Sequence, residues 1–130
     1  MLKFTETNYY ILAKEYEYGQ TCVLVHNADC PKVIGRLWDT EKFRGLDDFD
    51  VLNTPDWSID VNDAWVRAGI DQEQTFLLAS PIEGNLIQTT GKLAGQETVY
   101  ARELRMLLEA GYEQIGSFMV HPAKVSTFLP

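Results

Sequence analysis

The sequence predicts an α/β domain: a small, mostly parallel, Rossmann-like sheet with flanking helices, preceded by a short β-hairpin. Three observations lead there. Short runs of apolar, β-branched and aromatic residues recur along the 130 residues, bounded by Gly, Pro, Asn or Asp. Between them lie segments whose apolar residues fall at helical spacing. One run, Thr75-Phe76-Leu77-Leu78-Ala79-Ser80, is apolar on both faces, as a central strand covered by helices on both sides must be.

In chain order, Thr7 to Ala13 reads as a strand, Glu15 to Gln20 as a charged turn containing Gly19, and Thr21 to His26 as a second strand. Two such strands are marginal alone and need a sheet to join. Past Asp29, Lys32-Val33-Ile34-Gly35 is a compact strand and Thr40 to Leu46 a short helix. Asp50-Val51-Leu52-Asn53 is a further strand that ends where Pro55 removes a backbone donor. Ser58 caps a helix whose first turn carries Asp60; Val61, Ala64, Trp65 and Ala68 form its apolar face and Gly69 its stop. Pro81 to Gly95, with Gly84, Asn85 and Gly91, is a long loop of the kind that is often functional. Thr98 to Ala110 is a helix with Tyr100, Leu104, Leu107 and Leu108 on one face, Arg102, Arg105 and Glu109 on the other, and Gly111 at its end. Ile115 to Val120 supplies the last strand. Strands alternating with helices in this way favour parallel pairing through crossovers.

Composition narrows the function classes. With 45% hydrophobic residues the chain can bury a core, and its apolar runs are far too short to span a bilayer, so no stable membrane association is expected. The opening Met1-Leu2-Lys3-Phe4-Thr5-Glu6 lacks the layout of a secretion signal, so export is expected to come from a larger parent. The formal charge is −8, of which residues 1–27 carry −1, and that acidity opposes a strong general attraction to nucleic acid. Cys22 and Cys30 make no disulfide framework. With His26 they fall one ligand short of a zinc site, and packed, reduced cysteines are the better reading.

Tyr9-Tyr10-Ile11-Leu12-Ala13, followed by Val23-Leu24-Val25-His26-Asn27-Ala28, resembles the last two strands of a Hint (intein-like) self-cleaving domain. In that family the Asn side chain attacks its own carbonyl with help from the adjacent His. The resemblance makes His26 and Asn27 the remnant of a cleavage site, residues 1–27 a Hint tail, and residues 28–130 the released cargo. Hint domains placed so are common in bacterial polymorphic toxins of the Rhs and contact-dependent-inhibition types. The resemblance therefore implies a toxin delivered by a secreted or cell-surface parent, acting in the cytoplasm of a rival bacterium and held in check by a cognate immunity protein.

Within the cargo, several residues are candidates for chemistry. Arg36 can grip a phosphate through two hydrogen bonds, with Asp39 as a general base; the plain alternative is a surface ion pair. Asn53 and Thr54 follow the next predicted strand. Trp57 and Trp65, in a stretch that also holds Asn62, can stack a base or nicotinamide, with Asp56 or Asp63 orienting water or a ribose; the favoured reading is that the tryptophans anchor the core and the acids cap the helix. Ser80 and Asn85 can touch a ribose or phosphate and Glu83 can act in glycosidic cleavage, against simple turn formation. Ser80 lacks the Gly-x-Ser-x-Gly elbow of an acyl-transfer nucleophile. Arg102 and Glu103 open the later helix, with Glu103 placed to reach Arg36 or simply to face solvent. His121 is the sole histidine of the cargo and has Lys124 nearby.

No dinucleotide or Walker glycine loop, zinc-deaminase motif or paired-His motif is present, and no cofactor or metal is called for. Three functions stay open. The first is a hydrolase of NAD or a related nucleotide, with Arg36 on phosphate, substrate contacts from Asn53, Trp57, Asn62, Ser80, Asn85 and Arg102, and Asp39, Asp63 or Glu83 activating water. The second is a nuclease of tRNA or other nucleic acid carried by His121, Lys124, Arg36 and acidic partners, and the third a non-enzymatic domain that binds an immunity protein.

Overall fold

A computed structural model describes residues 31–46 and 49–128. The expected hairpin, the Hint-like His26 and Asn27, and both cysteines lie outside the described residues.

Strand β1 (Lys32–Ile34) leads into the short helix α1 (Leu37–Thr40) and a 3-10 turn at Glu41–Phe43. Helix α2 (Ile59–Asp71) crosses to β2 (Phe76–Leu78), and the long loop then reaches α3 (Val99–Glu109). Strands β3 (Glu113–Ile115) and β4 (Phe118–Val120) follow, then a 3-10 turn at Pro122–Lys124 and helix α4 (Val125–Phe128). No helix among the described residues is long and apolar enough to cross a membrane.

The sheet order is β1-β2-β4-β3. Strands β1 and β2 pair in parallel, Val33 beside Leu77, whereas β4 runs antiparallel to both β2 and β3. The sheet is therefore mixed, which corrects the expected mostly parallel arrangement. The cause is local. The predicted single strand Ile115–Val120 is broken at Gly116, whose φ of 61° turns the chain back on itself, so the run forms half of a hairpin. Two strands joined by so short a turn can only pair antiparallel. The predicted strand at Asp50–Asn53 is reduced to one bridge, Asp50 to Lys32. Two backbone bonds hold Asp50 there and its carboxylate takes the Lys32 ammonium at 2.8 Å, after which the chain leaves the sheet edge.

Alternate strand residues feed two apolar clusters. Val33, Leu77, Phe118 and Val120 pack with Phe49, Phe43, Val51 and Val125 on one face. Ile34, Phe76, Leu78 and Met119 pack against Val66 of α2 and Tyr100, Leu104 and Leu107 of α3 on the other. Burial on both faces explains why β2 reads as a continuous apolar run.

Helix α2 begins as expected, with the Ser58 hydroxyl accepting from the Val61 N–H at 3.1 Å. Its buried side is not the predicted one: Asn62, Asp63, Val66 and Gly69 face inward, while Val61, Ala64 and Ala68 are exposed. Gly69 is no stop. A Cβ there would lie 2.7 Å from the Lys32 and Phe76 side chains, so glycine lets the helix press onto the sheet. Helix α3 matches expectation, except that Thr98 and Ala110 cap it rather than lie within it, Leu108 is exposed and Glu103 is buried.

Candidate active site

Beyond the carboxyl end of β1 lies a cleft of about 510 Å³, walled by α1, the segment 51–57, and the first turns of α2 and α3. That volume is in the range of small-molecule sites.

Arg36 sits at the mouth because β1 ends in Gly35. A Cβ on Gly35 would meet the Ser80 hydroxyl at 2.8 Å, so glycine allows β1 and the end of β2 to close together. The Ser80 Oγ accepts the Arg36 N–H at 2.8 Å and donates to Asp39 Oδ2 at 2.6 Å. The Tyr100 hydroxyl holds the Ser80 carbonyl at 2.6 Å. This backbone anchoring aims the guanidinium over the Trp38 ring, 4.6 Å from its centroid. Its terminal nitrogens donate long bonds to Asn85 Oδ1 (3.5 Å) and Gln88 Oε1 (3.4 Å), and no carboxylate among the described residues neutralises it. Arg44 also reaches the lining, but it is paired with Glu41 Oε1 at 3.7 Å.

A different part of the lining is built by α2 and α3. Glu103 is only 5% exposed. Asn62 Nδ2 donates to Glu103 Oε2 at 3.2 Å, and Asn62 Oδ1 accepts from Trp57 Nε1 at 3.3 Å. Burial pushes the Glu103 carboxyl up to about 8; the Asn62 bond opposes that shift, and the nearby negative Asp63 adds to it. The group is mostly a neutral acid at pH 7. Trp57 is half exposed, and among the described residues no ring or cation covers its indole. Trp65 differs: Lys32 lies 4.4 Å over its ring and Phe76 meets it edge-on.

The structure thus gathers Arg36, Asn53, Trp57, Asn62 and Trp65 of the sequence-derived candidates, together with Thr54, around one cleft. Ser80 and Asn85 stand behind Arg36 as supports, and Asp39 is engaged with Ser80 and with Lys42 at 3.4 Å. Asp63 and Arg102 do not line the cleft. They form a two-bond ion pair at 2.9 and 2.7 Å, and Arg102 holds the Asp63 carboxyl below the usual carboxylate range. Glu83 is exposed on the long loop, away from the lining. His121 follows β4, and because β4 opposes β2 it emerges at the other end of the sheet from Arg36. There its Nδ1 accepts from the Ala123 N–H at 3.0 Å and its ring packs edge-on against Tyr112.

Glu103 is the acid of the cleft, yet sequence reasoning placed it toward Arg36 or solvent. Its spacing held the signal: three residues after Tyr100 and four before Leu107, it falls on the buried side of α3. No family model, curated protein or solved structure matches the chain, so its site is read from its own residues.

Proposed function

We propose that this domain hydrolyses the N-glycosidic bond of NAD or a related nucleotide, as an effector acting inside a bacterium and released from a Hint-bearing parent. The observation that carries the chemical half is the buried Glu103 carboxyl and the Arg36 guanidinium, unpaired with any carboxylate among the described residues, lining one cleft with the uncovered ring of Trp57. A phosphate grip, a ring-stacking surface and a proton donor together suit glycosidic cleavage of a nucleotide. Arg36 takes the phosphate through two charge-assisted hydrogen bonds, displacing its weak contacts to Asn85 and Gln88. Trp57 stacks the ring, and Glu103 exchanges the proton. Asp39, Asp63 and Glu83 give up the role first assigned to them, since each is engaged elsewhere or remote from the lining.

The nuclease built on His121 draws no support from the geometry, because His121 and Arg36 lie at opposite ends of the sheet. The setting rests on the Tyr9–Ala28 resemblance. Purified protein incubated with NAD and with total tRNA tests the chemistry: loss of NAD with intact RNA is expected, and cut RNA with intact NAD would reverse the choice. Expression in the bacterial cytoplasm should arrest growth, with relief by the product of the adjacent gene; normal growth at full expression would remove the effector reading.

A further inference from the structure

We propose that the cleft takes a 5′-phosphorylated purine nucleoside and that Glu103 hands its proton to a ring nitrogen of the departing base. This rests on the hydrolase reading and adds the class of leaving group.

Asn62 makes the distinction between the two carboxyl oxygens. Its amide N–H donates to Oε2, which must therefore accept, so the proton of the neutral acid resides on Oε1. That oxygen has no hydrogen-bond partner among the described residues, and its residue lines the cleft. The site accordingly presents a donor, and the matching ligand atom is an acceptor with a free lone pair. A purine offers such atoms at N3 and N7, both conjugated with the glycosidic nitrogen. A ribosyl pyridinium has no ring lone pair while bonded, and its nicotinamide departs as a neutral base without taking a proton. The charges agree. The uncompensated Arg36 guanidinium makes its part of the lining positive, which disfavours a cationic ring.

Of the other ionisable groups around Glu103, all but Arg36 are committed. On α2, Asp63 is paired with Arg102 of α3, and Arg102 holds it ionised. Tyr100, one turn back on α3, is pushed well above its ordinary range by burial and donates to Ser80. From β1 and the segment after it come Arg36, Arg44, which is paired with Glu41, and Lys32, which is paired with Asp50 behind Trp65.

The step balances. The C1′–N9 bond breaks with its electron pair going to the base, while the Oε1 proton moves to N7 or N3. A water oxygen bonds to C1′ and its proton returns to the Glu103 carboxylate. The products are the free base and ribose 5-phosphate, with the acid restored.

AMP and nicotinamide mononucleotide share the ribose phosphate and differ only in the base, so free base released from each across roughly pH 6 to 9 is decisive. Adenine should appear about tenfold or more faster than nicotinamide, and its rate should fall as the pH rises past about 8. Faster nicotinamide release, or adenine release that climbs with pH, overturns the inference. If neither is cleaved, the hydrolase reading fails and tryptophan quenching still judges base selection. AMP binding about tenfold tighter than the pyridinium nucleotide and weakening above about pH 8 upholds it, and equal affinity sinks it. Glu103→Gln keeps a donor, so it should retain AMP binding without the pH dependence while losing hydrolysis; Trp57→Phe identifies the quenched indole.

Discussion

Two junctions between α2 and α3 lie one residue apart on each helix and behave in opposite ways. Asp63 meets Arg102 and Asn62 meets Glu103. In the first, guanidinium and carboxylate satisfy each other through two bonds, and the Asp63 carboxyl falls below its ordinary range. In the second, the carboxyl meets only an amide in a buried wall of the cleft, so it rises to about 8 and keeps its proton. The difference is the partner, not the acid. A carboxylate already neutralised by an arginine is committed to structure, whereas one buried beside a neutral amide is poised to give and take a proton near neutral pH.

The largest expected effect is at the poised junction. Glu103→Gln preserves shape and the Asn62 contact but cannot transfer a proton, and hydrolysis of the preferred nucleotide should drop by about 10²–10⁴-fold, read as kcat. A loss below about threefold would mean that Glu103 only shapes the cleft. Next come the groups proposed to hold the ligand rather than react with it. Arg36→Ala should raise KM about tenfold or more with a smaller change in kcat, since a charge-assisted pair is worth about 1.5–3 kcal/mol. Trp57→Ala should weaken binding by a similar factor, since base stacking on an aromatic ring is worth about 1–3 kcal/mol. Neither side chain is buried, so thermal midpoints should barely move.

The two junctions also set opposite pH dependences of stability. Folding raises the Glu103 pKa from an ordinary 4.5 to about 8, so the folded state holds a proton that the unfolded chain has released. Its contribution is fully present below about 4.5 and is lost as the pH rises through about 8, on the order of several kcal/mol over that window. Asp63 is depressed instead. Its contribution is present above the ordinary carboxylate range and is lost as the pH falls through its folded value. Denaturant unfolding of the native protein and of Glu103→Gln should therefore diverge progressively between about pH 5 and 8, with the native protein weakening. Parallel curves would show that the carboxyl is not protonated in the folded state.

The contrast also shows what the sequence could and could not reveal. The strands at Lys32 and Phe76, the Ser58 cap and most of the α3 face were legible, because local patterns determine them. The direction of the last strand was not, since it turned on whether Gly116 adopts a positive φ inside an apolar run. The inward face of α2 was also hidden. Hydrophobic spacing points to Val61, Ala64 and Ala68, but Asn62 and Asp63 are buried because α3 supplies their partners, Glu103 and Arg102. Polar burial of this kind depends on pairs 41 and 39 residues apart, which no local window contains.

The smallest expected effect links the junctions. The negative Asp63 raises the Glu103 pKa, although less than burial does. Asp63→Asn removes that charge and leaves Arg102, already half exposed, to be solvated by water. The Glu103 proton should then be lost at lower pH, moving the falling limb of the pH–rate profile to the acid side by less than about one pH unit. The rate on the acid plateau should stay within about threefold of the native value, because Asp63 touches no part of the cleft lining. A plateau that collapses instead would give Asp63 a direct catalytic part. A limb that shifts to the alkaline side would mean that loss of the ion pair buries Glu103 more deeply, so that the two junctions are mechanically as well as electrostatically coupled.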